Sequence, residues 1–548
     1  MHLLVNLLLA IISYGSPVHY EIALAGNFGE PRPNHFHGGS DVKTGGVEGK
    51  PIFSIGDGYV SNVTIGIGGY GNAVYVHHPE GYTSVYCHLK KFSPQITAMV
   101  NKIRYERKRA RGDFKFRPTD IPIARGQLIA VSGNTGSSQA PHLHLEIHET
   151  RTWKMMDPLE FIGGHVTDGL KPMGHAFMAY PVPGEGVFMG SSAKTNYNFT
   201  SHNLTRKFVA WGKVGFGIWA NDYMEITYNR YGVRKTELLV DGKPVFRSDV
   251  NGIPPAMNMM VNSWGDYEHF LRYNVWYMKS FVLPGNKLPI LWADGNRGIV
   301  NFTEERDYRF TYRLMDFKGN VSEYTFTVTG KKVPIRIPAS RHSPLRYISY
   351  SKCNNFQLPG MSLFIPSGQV EDDIYLSPVI KHQPGKLSDA YRMMSGSYPL
   401  FSYCKITLRL NKPVANPQKL YVVSHWGSDR YMGGQVTSTK QGIWVTGKAR
   451  EMGATYELAY DDQPPLIHPV SIGNELTVGL SDSGSGVDDY EAYVDGQFVL
   501  FEEVPKSPWV RCRLADTPIH KTGKTHRLVF KAWDSRRNTR TYTTTFKY

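Results

Sequence analysis

The chain has 548 residues, with 62 Lys+Arg against 47 Asp+Glu and a formal net charge of +15. That length is too great for one hydrophobic core and implies three or four domains, while four cysteines are too few for a disulfide framework. The basic excess suits anionic polymers, but it is diffuse and no nucleic-acid module accompanies it, so nucleic acid is excluded as the partner.

In chain order, Met1-His-Leu-Leu-Val-Asn-Leu-Leu-Leu-Ala-Ile-Ile-Ser13 is an apolar run too short to cross a bilayer. With Gly15-Ser16 behind it, residues 1–16 read as a signal peptide that lacks the usual basic start. No early lipobox cysteine and no other long apolar run occurs, so the expectation is an exported protein with no transmembrane segment.

Three short segments then concentrate metal-binding and proton-carrying side chains: His37-Gly-Gly-Ser-Asp41, Tyr86-Cys-His-Leu89 and Pro141-His-Leu-His-Leu-Glu146. Catalytic zinc takes three ligands from His, Asp or Glu and keeps its fourth position open. His37 and Asp41 are four apart, but Gly38 and Gly39 argue against a helix. The piece reads as a loop or strand edge whose glycines let backbone pass close to a metal. In the third segment polar and apolar residues alternate, as in a half-buried strand. His142, His144 and Glu146 then share one face, while Leu143, Leu145 and Ile147 enter the core. One of the two histidines can hold metal while its neighbour faces substrate. No HExxH helix is present, so its glutamate base is missing and histidines must handle the protons; His88 and His142 are the candidates.

Together with Gly56-Asp-Gly-Tyr-Val60, Gly69-Tyr-Gly-Asn-Ala-Val-Tyr-Val76 and Gly133-Asn-Thr-Gly-Ser-Ser138, these motifs resemble the lysostaphin-like (LytM-type) zinc endopeptidases, in order from Gly26 to Ile162. The resemblance implies an N-terminal antiparallel β-sheet metallopeptidase domain that cleaves peptidoglycan cross-links or stem peptides. It implies zinc ligands His37, Asp41 and His144, and catalytic histidines His88 and His142. His35, two residues before His37, is the competing ligand, and the family's His-to-Asp spacing favours His37. A bound metal would polarise the scissile carbonyl and acidify water, with His88 or His142 moving the proton. Glu146 is equally a hydrogen-bond partner behind a ligand histidine or a surface carboxylate. Cys87 stands where the family often has Ala and reads as a small core residue. All five key positions are present, which favours an enzyme over a catalytically silent envelope scaffold or regulator that keeps the zinc site; a protease for other proteins is a further alternative.

The metallopeptidase domain is expected over residues 17–165, with a basic helical insertion at 92–125 around Asn101-Lys-Ile-Arg-Tyr-Glu-Arg-Lys-Arg-Ala-Arg111. Because the insertion splits two catalytic strands, it is placed either beside the cleft, touching glycan or acidic stem peptide, or on the surface with no role. Beyond it the chain turns strand-rich and aromatic. Asp222…Tyr231-Gly-Val233…Val240-Asp-Gly242 is echoed by Asp482…Ser485-Gly-Val487…Val494-Asp-Gly496, and Asp316…Asn320 by Asp534…Asn538. Two similar immunoglobulin-like β-sandwich domains follow, repeat 1 at 166–331 and repeat 2 at 466–548, around an intermediate β-domain at 332–465. Their aspartates are read as turn caps rather than calcium ligands. Cys353 and Cys404 are a candidate pair, and five Asn-x-Ser/Thr triplets (Asn62, Asn198, Asn203, Asn301, Asn320) are taken as chance matches. The expected whole is mainly β: a zinc enzyme of a Gram-negative periplasm or envelope whose β-domains position it, gate it or bind envelope proteins.

Overall fold

A computed structural model describes residues 14–336 and 346–548, so the apolar run at 1–13 lies outside the described residues. Among the described residues strands hold 49% and helices 9%, which makes the fold mainly β. No helix among the described residues is long and apolar enough to cross a membrane.

The N-terminal domain is built on one antiparallel sheet. Its strands are β1 (Leu24–Gly26), β2 (Ser40–Lys43), β3 (Gly58–Ile65), β4 (Ala73–His77), β5 (Tyr82–Cys87), β6 (Gly112–Lys115) and β7 (His142–Glu149), in the spatial order β1-β2-β7-β5-β4-β3-β6. Alternation along these strands sends Val42, Val60, Val74, Leu143, Leu145 and Ile147 into one core, closed by a three-stranded sheet of 51–53, 128–132 and 89–92. The polar face of β7 therefore looks the other way. Tyr14 is buried with its ring edge on His78 and Phe161, and the Gly15 N–H donates to the Ile55 carbonyl at 2.7 Å.

Within 92–125, the helix α1 (Pro94–Arg107) starts with proline in its first turn and ends at Lys108 in left-handed conformation. Neither placement expected for this insertion is found. The Arg104 guanidinium, 2% exposed, donates to the Ala110 carbonyl and reaches Glu502 at 3.0 Å. Arg111 meets Asp489 at 2.7 Å and Glu503 at 3.1 Å, with its guanidinium 5.0 Å over the Tyr490 ring. Ala110 and Tyr105 join the core of the last domain. The basic run is a clamp onto that domain, because the acidic residues that neutralise it lie almost four hundred positions away and are invisible to any local reading of charge.

Residues 166–331 contribute β8 (Met173–Phe188), β9 (Asn203–Met224), β10 (Thr227–Tyr231), β11 (Lys235–Val240), β12 (Lys243–Asp249), β13 (Asp307–Met315) and β14 (Val321–Gly330). Here the hydrogen bonding runs through one continuous eleven-stranded sheet, since the long β8 and β9 pair through register shifts and tie the two layers together. The middle region forms two five-stranded sheets over one core, and the last domain two four-stranded sheets over another. In that last domain β15 (Val487–Val494), β16 (Gln497–Phe498), β17 (Thr525–Asp534) and β18 (Thr539–Lys547) pair in the order β16-β15-β17-β18, as β12-β11-β13-β14 do earlier. The two Val-Asp-Gly echoes become the same hairpin turn, with positive φ at Asp241 and Gly242 and at Asp495 and Gly496. Each turn aspartate accepts from the next strand, Asp241 from the Arg309 N–H and Asp495 from the Arg527 N–H. Cys353 and Cys404 do not pair: all four cysteines are free, with Cys353 exposed and Cys404 in the middle core.

The first β-domain grips the N-terminal sheet at its β1–β2 edge. The Tyr231 hydroxyl donates to the Leu24 carbonyl at 2.9 Å, and the Lys43 ammonium donates to Thr227 and Asn229 at 2.7 and 2.6 Å. From a helical excursion of the same domain, Asn258 Oδ1 accepts the Phe36 N–H at 2.7 Å, next to His37. Arg111→Ala should release the other end of the assembly: amide exchange in α1 is expected to speed up about tenfold, from loss of charge-assisted bonds worth ~1.5 kcal/mol or more, while β7 keeps its protection. Exchange followed by mass spectrometry measures both segments at once.

Candidate active site

Antiparallel pairing of β2 with β7 sets Asp41 directly opposite His144 and Lys43 opposite His142. Side chains facing each other across a sheet lie within touching distance, so a carboxylate and an imidazole from different motifs meet without any loop having to carry them. His37 arrives from the turn before β2. Its two following glycines are required by packing: a Cβ on Gly38 would lie 2.5 Å from Glu146 Oε1, and one on Gly39 would lie 2.2 Å from the Leu145 carbonyl oxygen. The glycines thus let this turn cross β7, closer to Glu146 than to the ligand atoms themselves.

His37 Nε2, Asp41 Oδ1 and His144 Nδ1 converge with separations of 3.0, 3.0 and 2.7 Å, and all three residues are buried. Each imidazole is locked from behind. His37 Nδ1 sits 2.6 Å from the Asn27 carbonyl and His144 Nε2 sits 2.9 Å from Glu146 Oε1, which leaves His37 Nε2 and His144 Nδ1 turned inward. Glu146 is not a surface carboxylate. It is 3% exposed, and its Oε2 takes hydrogen bonds from the Tyr70 hydroxyl and His148 Nε2, each at 2.6 Å. Arg32 holds the second oxygen of Asp41 at 3.0 Å. His35, an exposed residue, does not enter the cluster; its Nδ1 lies 3.0 Å from the Pro33 carbonyl.

His88 and His142 stand beside this triad. His88 follows β5 in left-handed conformation, φ 60°, and its Nδ1 lies 2.9 Å from the Thr135 carbonyl. His142 Nδ1 lies 2.8 Å from the Ala140 carbonyl, and its Nε2 is 3.3 Å from Asp41 Oδ1. The two rings are 4.9 Å apart, and ring nitrogens of His88, His142 and His144 fall within 4.8 Å of one another. Both supporting carbonyls belong to the loop 133–140. Lys506 of the last domain, itself at φ 60°, donates to the Gly136 carbonyl of that loop at 2.8 Å and also to the Ser138 carbonyl. Cys87 pairs in register with His144 and packs with Ala73 and Val85 on that same sheet face, and burial pushes its thiol far above the usual range.

The electrostatics call for a cation. Burial alone would raise Asp41, but His37 and hydrogen bonds from His142, His144 and His37 hold it well below the carboxylate range. Burial lowers His37 to about 4 and His88 to about 3. Burial also opposes charge on His144, yet hydrogen bonds to Asp41 and Glu146 raise it to about 9. The cluster therefore holds a proton on His144 where two buried carboxylates need positive charge. Once His144 gives up that proton, two imidazole nitrogens and one carboxylate oxygen make a donor set suited to zinc.

All five residues expected at the site thus lie together, with Glu146 behind His144. Arg32, Tyr70, His148 and Lys506 were missed. Only His148 left a signal, because it continues the alternation His142, His144, Glu146 along the same strand face.

Residues 35–103 match the model of peptidase family M23, and residues 345–461 match that of the Zu5-like domain. An uncharacterized metalloprotease of Haemophilus influenzae is 34% identical over 101 residues, covering 18% of this chain and 16% of the relative. The DD-carboxypeptidase/endopeptidase Mpg of Neisseria meningitidis is 31% identical over 99 residues, 18% of this chain and 17% of the relative. The chain thus spans about a sixth of the length of these curated relatives. Among solved structures, the catalytic domain of lysostaphin from Staphylococcus simulans is 21% identical, covers 25% of this chain and 90% of that one, and superposes with a TM-score of 0.19, too low to add weight. Within the N-terminal domain, residues 35–103 are therefore similar to peptidase family M23, and within the middle β-domain residues 345–461 are similar to the Zu5-like domain.

Proposed function

We propose that the protein is a zinc-dependent endopeptidase that hydrolyses peptide bonds of peptidoglycan cross-links or stem peptides, exported to the periplasm or envelope of a Gram-negative bacterium. The observation that carries this reading is the convergence of His37 Nε2, Asp41 Oδ1 and His144 Nδ1, within 3.0 Å of one another, beside two more imidazoles, those of His88 and His142, whose Nδ1 atoms are held by backbone carbonyls. His37, Asp41 and His144 would hold the zinc. When bound, zinc supplies a Lewis acid for the scissile carbonyl and makes water acidic enough to attack at neutral pH. His88 and His142 do the proton work. Each has Nδ1 pinned to a backbone carbonyl, which fixes the ring and presents Nε2 to the reacting atoms. Burial keeps His88 neutral at pH 7, so its Nε2 can accept a proton from the attacking water and later return it to the leaving amine. Glu146 fixes the tautomer of His144, and Arg32 holds Asp41 in place. Envelope proteins that dock on the β-domains are a further element of this reading.

Purified full-length protein is expected to carry about one zinc and to release peptides from isolated sacculi. His144→Ala should lose both metal and activity. His142→Ala should keep the metal while activity falls by at least ~10²-fold, the worth of a general acid–base group. Zinc without release from any wall preparation would sink the enzyme reading in favour of a silent scaffold. Glu146→Gln, which no longer pins the His144 tautomer, should weaken zinc about 10–100-fold in a chelator competition.

The same competition has a defined pH profile. His144 rises from 6.5 to about 9 in the metal-free fold, so its proton stabilises that fold fully below pH 6.5 and is lost as pH climbs through about 9. Zinc must displace this proton, so its affinity should rise by about tenfold per pH unit between those limits. A flat profile would remove His144 from the ligand set.

A further inference from the structure

Away from the catalytic centre, Asp168, Asp222 and Asp316 bring one carboxylate oxygen each to within 4.8 Å of the others. Asp168 lies in the link between the catalytic domain and β8, Asp222 near the end of β9, and Asp316 in the turn from β13 to β14. Asp316 spends both oxygens on Asn320, accepting from its backbone N–H at 2.9 Å and its side-chain amide at 2.7 Å. The other two are not satisfied. Asp222 is only 2% exposed, and its Oδ1 has no hydrogen-bond partner; Asp168 Oδ2 is likewise buried and unpartnered. The nearest cation, Lys318, donates to the Gly163 carbonyl instead, and Glu225 adds a fourth negative group beside Asp168. Burial and mutual repulsion push Asp222 up to about 8 and Asp168 to about 7. Buried carboxylates are normally paired, hydrogen-bonded or bound to a metal.

The repeated domain supplies a control. Asp461, Asp482 and Asp534 occupy the corresponding positions, down to Asn538, whose amide reaches Asp534 and the Asp461 carbonyl as that of Asn320 reaches Asp316 and the Asp168 carbonyl. There the two buried members are satisfied. Asp461 accepts from Gln463 N–H and from the Ser485 N–H and hydroxyl, and Asp534 accepts from Arg536 and Asn538. Turn capping explains the second cluster completely and leaves bare oxygens in the first.

We propose that Asp168, Asp222 and Asp316 bind a calcium ion at the joint between the catalytic domain and the first β-domain. The donors are all hard oxygens, the ligand class that calcium takes, with carbonyls and waters completing its coordination. Asp222 pairs in register with Tyr231, whose hydroxyl holds the Leu24 carbonyl on β1, and the same hairpin receives Lys43 from β2. A cation here ties the β9–β10 hairpin to the interdomain link and stiffens the edge strands next to Asp41.

The test uses the full-length, zinc-loaded protein titrated with calcium chloride alone, read by calorimetry and thermal unfolding, with no peptidase assay. Wild type should bind one calcium per chain, with affinity of roughly 10⁻⁵–10⁻³ M, and the unfolding midpoint should rise by about 2–4 °C. Asp222→Asn and Asp168→Asn should each abolish binding and the shift while leaving the calcium-free midpoint unchanged or higher, since each removes repulsion. Asp482→Asn should bind as wild type does. No heat and no shift in wild type at about 5 mM calcium, or binding retained in both Asp222→Asn and Asp168→Asn, overturns the proposal. Loss of binding in Asp482→Asn alone also overturns it, by placing the ion in the other cluster.

Discussion

The whole site depends on one register, that of β2 against β7, which puts Asp41 across from His144. A shift of one residue would turn His144 into the core and bring Leu143 or Leu145 to face the metal ligands. The register is enforced from both sides of the sheet. Leu143, Leu145 and Ile147 are fully buried below, and above them Glu146 bridges His144, His148 and Tyr70. Gly38 and Gly39 then let the His37 turn pass over this strand at a distance no side chain would permit. Hydrophobic patterning thus does the aligning, and the polar atoms inherit a geometry they could not impose alone.

Much of this was legible. Alternation in His142 to Ile147 placed its polar residues on one face and its apolar ones in the core, and the family's motif spacing pointed to the five histidine and aspartate positions. The hairpin echo Val-Asp-Gly was also sound, because Asp-Gly demands a particular turn wherever it falls between strands. What stayed hidden depended on partners distant in sequence. Arg104 and Arg111 looked like a solvated or substrate-facing charge run, since nothing local reveals that Glu502, Glu503 and Asp489 receive them. Arg32 and Tyr70 lie in stretches with no metal-site pattern and become part of the site only through folding. Gly15-Ser16 looks like a cleavage site by composition, whereas the aromatic neighbours of Tyr14 come to it only through the fold.

The β-domains are built into the catalytic domain rather than strung behind it. Tyr231 and Met224 of the first one belong to the catalytic core itself, Lys43 sends its ammonium outward from β2 to Thr227 and Asn229, and Asn258 caps the backbone just before His37. Cutting the chain after the catalytic motifs would expose this apolar seat and leave a lysine and a backbone donor unpaired.

The reach of Lys506 to the 133–140 loop has a further consequence. The two carbonyls that hold His88 and His142 belong to a loop fastened by a residue 370 positions downstream. During synthesis, every earlier segment can fold while that fastening is absent. The loop that orders the proton-carrying imidazoles therefore receives its last support only when the final domain has docked. A chain cut before Lys506, even with His37, Asp41 and His144 intact, lacks that support, so the setting of His88 and His142 is coupled to the presence of the last described domain.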